Sequence, residues 1–150
     1  MPSLRQFCSF YLDGLLFGVP LEGVQEVFVP LEMTPIPLAS DMVSGLINLR
    51  GQLVTAIDLR RKLQLPARSA DTVGMNVVVH TGDGPVSMLV DEIGDVIEVD
   101  ESTFENPPET LQKKLSDTIL GVHKLDGRLL HILDTIKACE IPLFEDNSRS

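Results

Sequence analysis

Apolar positions along this chain fall in short runs broken by turn-forming residues, a pattern that predicts a succession of short strands. Residues 7–12 are rich in β-formers and lead into Asp13-Gly14, a dipeptide that accepts positive φ at both positions of a tight hairpin turn. The returning run, 15–19, ends at Pro20, which cannot donate to a ladder. A third run, 24–29, alternates in part and gives way to a connector through Pro30, Pro35 and Pro37. A second hairpin is predicted over 45–59, with its arms on either side of Arg50-Gly51. Polar residues follow and read as a linker, with one helical turn at its start. Residues 76–81 and 85–90 flank Asp83-Gly84 as a third hairpin. The run 91–99 passes into an acidic, proline-containing stretch, 100–109, and the last run folds about Asp126-Gly127. Residues 144–150 form a polar tail expected to fray.

The spacing of these pieces is more informative than any one of them, because self-similarity at a fixed offset marks duplication. A shift of 76 residues carries Gly45, Leu49, Gly51, Leu53 and Asp58 onto Gly121, Leu125, Gly127, Leu129 and Asp134, identical at every position. A shift of 70 carries Asp13, Gly14 and Glu22 onto Asp83, Gly84 and Glu92; one residue away in register, Val24 and Val27 meet Ile93 and Val96. Each half then reads strand, turn, strand, strand, irregular connector, hairpin. About five strands per half suffice to close a small barrel and remove exposed edges. The expected fold is all-β: two small five-stranded barrels packed together from a duplicated chain. A single domain is expected over 5–140, with a first β unit at 5–65, a linker at 66–75 and a second unit at 76–140. Exchange of strands between the units is left open.

Composition narrows the function. Net charge is −10, so the chain repels phosphate backbones, and neither nucleic-acid binding nor adhesion to anionic lipid is expected. Aromatic residues are 5% of the chain and tryptophan is absent, which leaves Val, Leu and Ile to fill the core. No run approaches the ~18 apolar residues of a membrane helix, and the N-terminus lacks the pattern of a secretory signal, so a cytoplasmic protein is expected. Cys8 and Cys139 share no motif and are expected to be buried, reduced thiols.

Catalytic and metal chemistry find little to stand on. The three histidines, His80, His123 and His131, form no HExxH pattern, and no CxxC pair occurs. The glycines are dispersed among turns, and no Gly-x-Ser-x-Gly elbow is present. Asp58 and Asp134 could suggest a carboxylate pair, but they arise from the repeat and are expected to cap backbone amides. No cofactor and no metal are expected, and the protein is read as a non-enzyme.

Two residues depart from the scaffold pattern. Arg50 lies at a hairpin tip where the other half carries Asp126, so the fold does not require a cation there. An exposed Arg beside an exposed Leu49 suits an interface anchor, and equally a turn residue paired with a nearby carboxylate. Glu26 sits between apolar Val24 and Val27 on a strand.

The run Val43-Ser44-Gly45-Leu46-Ile47-Asn48-Leu49-Arg50-Gly51, followed by Ile57-Asp58-Leu59-Arg60, resembles the signature of the CheW family of chemotaxis coupling proteins. The similarity extends through Phe17-Gly18-Val19-Pro20, Val24-Gln25-Glu26-Val27, Leu89-Val90-Asp91-Glu92-Ile93, Pro107-Pro108, Ile119-Leu120-Gly121-Val122 and Arg128-Leu129-Leu130. It departs at Thr55-Ala56 and at Glu105-Asn106.

The resemblance implies a scaffold of two SH3-like barrels that connects chemoreceptor cytoplasmic helical tips to the regulatory domain of a CheA-type histidine kinase. By that similarity Val24, Glu26, Asn48, Leu49, Arg50 and Gly51 would face the receptor. Val90, Asp91, Ile93, Phe104, Pro107, Pro108 and Leu111 would serve the kinase or a further array contact. The protein would be a monomer in isolation, held at receptor arrays on the inner face of the membrane without inserting into it. The alternatives are a CheW-like adaptor of another motility or developmental pathway with fewer partners, and a small-molecule-binding β-barrel.

Overall fold

The computed structural model describes residues 3–29, 33–36, 41–67 and 74–140. Residues 144–150, Pro30, Pro37 and most of the 66–75 linker lie outside these. The first half supplies β1 (Leu4–Leu12), β2 (Leu15–Pro20), β3 (Val24–Phe28), β4 (Val43–Leu49) and β5 (Gln52–Asp58), then one helical turn, α1 (Leu59–Lys62). The second half supplies β6 (Met75–Thr81), β7 (Gly84–Val90), β8 (Glu92–Asp100), the two-residue β9 (Phe104–Glu105), α2 (Lys113–Thr118), β10 (Ile119–Leu125), β11 (Arg128–Leu133) and a closing turn, α3 (Thr135–Ala138).

Neither sheet is built from one half of the chain. One sheet runs β8-β1-β2-β11-β10-β9 and the other β3-β6-β7-β5-β4. The β1–β2 hairpin therefore sits among the strands of the second half, and β6–β7 among those of the first. Parallel pairing of β2 with β11 and of β5 with β7 seals each exchange. The result is the expected pair of SH3-like units, one of them carrying the short β9 as a sixth strand.

The pairing reproduces the duplication residue by residue. Val24 pairs with Val79 as Ile93 pairs with Phe10, and Thr55 pairs with Val86 as His131 pairs with Phe17. These equivalences set the offset of the first hairpins at 69 residues, not 70. Thr81 pairs with Gly84, so the turn is Gly82-Asp83 and Gly84 already belongs to β7. The Thr81 hydroxyl accepts from the Asp83 amide (3.1 Å) and donates to the Gly84 carbonyl (2.7 Å), which fixes the turn one residue earlier than the Asp-Gly signal suggests.

Shared residues have shared physical reasons. A Cβ at Gly45 would lie 2.7 Å from the Thr34 carbonyl oxygen, and one at Gly121 would lie 2.4 Å from that of Glu105. In each half the returning connector crosses its hairpin at a distance only glycine permits. Asp58 and Asp134 each cap the helical turn that follows, accepting from the Arg61 amide (3.4 Å) and the Lys137 amide (3.1 Å).

One apolar core joins the two sheets: Phe10, Phe17 and Val19 meet Leu59, Val77, Met88 and Val90. Smaller clusters belong to single units, Phe7, Leu16, Leu130 and Ile132 in one, Leu49, Val54 and Val78 in the other. Cys8 is buried, Cys139 is half-buried, and both are free thiols. Among the described residues no helix is long and apolar enough to cross a membrane.

Candidate functional site

The β4–β5 turn is a tight two-residue loop, with Leu49 opposite Gln52. Both central residues have positive φ, 53° at Arg50 and 87° at Gly51. Glycine takes this conformation freely; arginine does so against the clash of its Cβ with the backbone. Asn48 braces the turn, its Oδ1 accepting from the Gly51 amide at 2.9 Å. The matched turn in the other half behaves differently. Gly127 has φ 79°, while Asp126 is not among the residues with positive φ. The left-handed arginine is thus a property of this turn and not of the repeat.

Arg50 reaches Glu26 with both arms of its guanidinium. Nη2 donates to Oε1 at 3.0 Å and Nη1 to Oε2. Glu26 lies on β3 and Arg50 follows β4, the two edges of the same curled sheet, so the pair spans its seam. The side chains are unequally exposed, 73% for Arg50 and 21% for Glu26. Hydrogen bonding to Glu26, then its charge, pushes the guanidinium above its already high pKa. The outcome is a cation held out from the surface by a carboxylate anchored on a strand.

Around this pair the structure sorts the other predicted residues. Asn48 and Gly51 are exposed beside Arg50. Leu49 turns inward and joins the core of its unit, and Val24 packs against the central core. Leu53, read from the sequence as shared scaffold because Leu129 matches it, is 65% exposed and lies directly opposite Asn48. Val27, next to Glu26, is also exposed. Leu129, in contrast, packs on the central core. An alternating pattern in β5, with Val54 buried and Leu53 out, was the signal available for this.

The second predicted group does not form one surface. Val90 is fully buried in the central core and offers no area to a partner. Asp91 anchors a lock. Its carboxylate accepts from Arg60 Nε (2.9 Å) and Nη2 (2.5 Å) and from the Asp13 amide (2.8 Å). Arg60 also donates to the Pro66 carbonyl at 2.7 Å. Ile93 and Leu111 pack on the core, Pro107 and Pro108 are half-buried, and Phe104 stays exposed.

The remaining polar groups have structural partners. His123 and His131 lie on opposite faces of the β10–β11 hairpin, since Val122, not His123, is opposite His131. His131 Nδ1 donates to the Leu16 carbonyl at 2.8 Å. The Thr103 hydroxyl donates to the Asp100 carbonyl (2.9 Å), so its oxygen accepts from His123 Nδ1 (2.8 Å). Among the described residues no three His, Cys, Asp or Glu side chains gather to hold a metal ion.

A family model described as the CheW-like domain matches residues 6–140. The chemotaxis protein CheW of Bacillus subtilis (strain 168) is 33% identical over 125 residues, 83% of this chain and 80% of that protein. The chemotaxis protein CheW of Thermotoga maritima is 30% identical over 144 residues, 92% of this chain and 91% of that one. In fold, the chain is similar to the scaffolding protein TtCheW from Thermoanaerobacter tengcongensis, with a TM-score of 0.78 at 27% identity, covering 89% of this chain and 90% of that one.

Proposed function

This chain belongs to the CheW-like family, and from that premise we propose that it is a non-catalytic chemotaxis adaptor holding a chemoreceptor's cytoplasmic helical tip and a CheA-type histidine kinase on separate faces of one rigid body. The receptor face is the surface around Glu26, Asn48, Arg50 and Gly51, widened by exposed Leu53. The kinase face lies on the other sheet, near Phe104, Pro107, Pro108 and Leu111, and leaves out Val90 and Ile93, which serve the central core, and Asp91, which holds Arg60.

The Glu26–Arg50 pair carries this reading. Two strand edges fix the cation in place, so its side chain loses little further freedom on binding. Apolar Leu53, opposite Asn48 and near a charge of known position, suits a helical partner with an apolar stripe and a flanking carboxylate. Because the central core joins both sheets, a shift imposed at one face changes the free energy of binding at the other. The adaptor works where its partners are, at receptor arrays on the inner face of the membrane.

Capture experiments with the purified receptor cytoplasmic fragment and the full-length kinase from the same cells test this. The expected result is capture of each alone and of both together. Failure to hold both at once overturns the coupling role.

A further inference from the structure

We propose that Arg60 and Asp91 are positioning residues for coupling: they set the angle between the two sheets, and with it the free energy that binding at one face passes to the other. The inference rests on the adaptor reading and adds to it the residues through which coupling runs.

Among the described strands the chain changes sheet twice, between β2 and β3 and between β7 and β8. Asp91 is the second crossing. Its amide donates to the Tyr11 carbonyl at 3.0 Å, and its carboxylate accepts from the Asp13 amide at 2.8 Å. Both partners belong to the β1–β2 hairpin of the six-stranded sheet. The same carboxylate takes the guanidinium of Arg60, whose helical turn α1 continues β5 of the five-stranded sheet. Arg60 Nη1 also lies 4.0 Å from the Asp13 carboxylate. A turn from each sheet is therefore tied to the crossing between them.

The duplication supplies an internal control. At the first crossing, the positions matching Asp13, Arg60 and Asp91 are Gly82, Ile136 and Glu22. Ile136 is 77% exposed and has no charge to offer. The Glu22 side chain, 72% exposed, reaches instead to Arg5 on β1 at 3.3 Å. Two packed barrels therefore do not require the Arg60–Asp91 pair, just as they do not require Arg50.

Directionality gives the lock its role. The core shared by the sheets is apolar, and apolar burial is non-directional. A guanidinium that grips a carboxylate by two N–H groups fixes distance and orientation together. The first crossing carries an exposed ion pair, which contributes little, so the angle between the sheets is held at the second. Arg60 and Asp91 belong to neither partner's face, so they act on coupling through that angle and not through contact.

The test measures the affinity of full-length kinase for the unaltered protein, Arg60→Lys and Asp91→Asn, each with and without saturating receptor fragment. Arg60→Lys keeps the charge and loses the two-pronged grip. Asp91→Asn keeps an acceptor for the Asp13 amide and loses the charge. Circular dichroism checks the fold of each variant. The expected result is that receptor changes kinase affinity by ~5-fold or more in the unaltered protein and by less than ~2-fold in either variant. Affinity for each partner alone is expected to stay within about twofold of the unaltered protein. Undiminished coupling in a folded variant overturns the inference, and so does weakened binding of both partners alone, the sign of a merely structural role. No coupling in the unaltered protein also overturns it, and leaves the adaptor holding both partners. Failure of the unaltered protein to bind either partner overturns the adaptor reading as well.

Discussion

Arg50 and Glu26 stand at opposite edges of one five-stranded sheet, yet form a two-pronged ion pair across its seam. Strand β3 presents the carboxylate and the β4–β5 turn presents the cation. Neither could be placed so by local structure alone. Reversing the charge in Arg50→Glu puts two carboxylates at this seam and removes the cation a receptor tip would meet. Receptor affinity is expected to fall at least ~10-fold with the circular dichroism spectrum unchanged. The double exchange Glu26→Arg, Arg50→Glu restores an internal pair but not the outward cation, so it should regain thermal stability without regaining receptor binding. Recovery of binding in the double variant would show that only the pair, not its orientation, matters.

The left-handed backbone at Arg50 predicts a separation of stability from function. Asn-Gly is the favoured pair for a turn with positive φ at both positions. Arg50→Asn should therefore melt no lower than the unaltered protein, while receptor capture is lost. A clear drop in melting temperature would mean that the ion pair, rather than turn geometry, dominates this corner.

Asp91 was expected at a binding surface and instead holds Arg60 and the β1–β2 turn together, with side-chain exposures of 15% for Asp91 and 12% for Arg60. Removing Asp91 leaves the little-exposed charge of Arg60 to the more distant Asp13 carboxylate, 4.0 Å away. Asp91→Ala is expected to cost about 3 kcal/mol in urea unfolding. A loss under ~1 kcal/mol would return Asp91 to the list of exposed pairs that contribute little.

Gly121→Ala forces a Cβ against the Glu105 carbonyl and the Phe104 ring. Overpacking of this kind costs about 1–3 kcal/mol, and relief requires β9 to lift away from β10. Faster amide exchange at Val122 and His123, the residues facing β9, is the expected local sign. Protection equal to that of the unaltered protein would show that the connector shifts without unpairing.

Burial pushes the Cys139 thiol up to about 12, against the opposing charge of Lys62. An unfolded thiol titrates near 9.0, so the folded chain keeps a proton that the unfolded chain releases. The stability this represents is whole below pH ~9 and is lost as pH rises from there toward ~12. Cys8, raised by burial, acts in the same direction, and Lys62, lowered by burial, in the opposite one. Urea midpoints of the unaltered protein and Cys139→Ala, taken from pH 8 to 11, should converge as pH rises. Parallel curves would contradict the buried thiol.

Much of the fold was written locally. Turn dipeptides, β-branched runs and repeated Gly, Leu and Asp predicted the strands, the duplication and the capping role of Asp58 and Asp134, because each depends on neighbours a few residues away. The contrast of Arg50 with Asp126 likewise pointed to a surface before any partner was in view. The same repeat misled at Leu53, since identity with Leu129 says nothing about which face of a curled sheet meets water.

Three features waited for the tertiary structure. Pairing of β1 with β8 joins residues 81 to 96 positions apart and that of β2 with β11 residues 114 apart, and no local signal distinguishes that pairing from its unexchanged twin. The Asp91 lock depends on a turn, a strand end and a helical turn meeting at one carboxylate. The Glu26–Arg50 pair depends on the sheet curling until its edges face. Sequence determined which segments become strands, since that follows from nearest neighbours; only the folded chain decided which strands and charges meet, since that is settled by the closure of two barrels over a shared core.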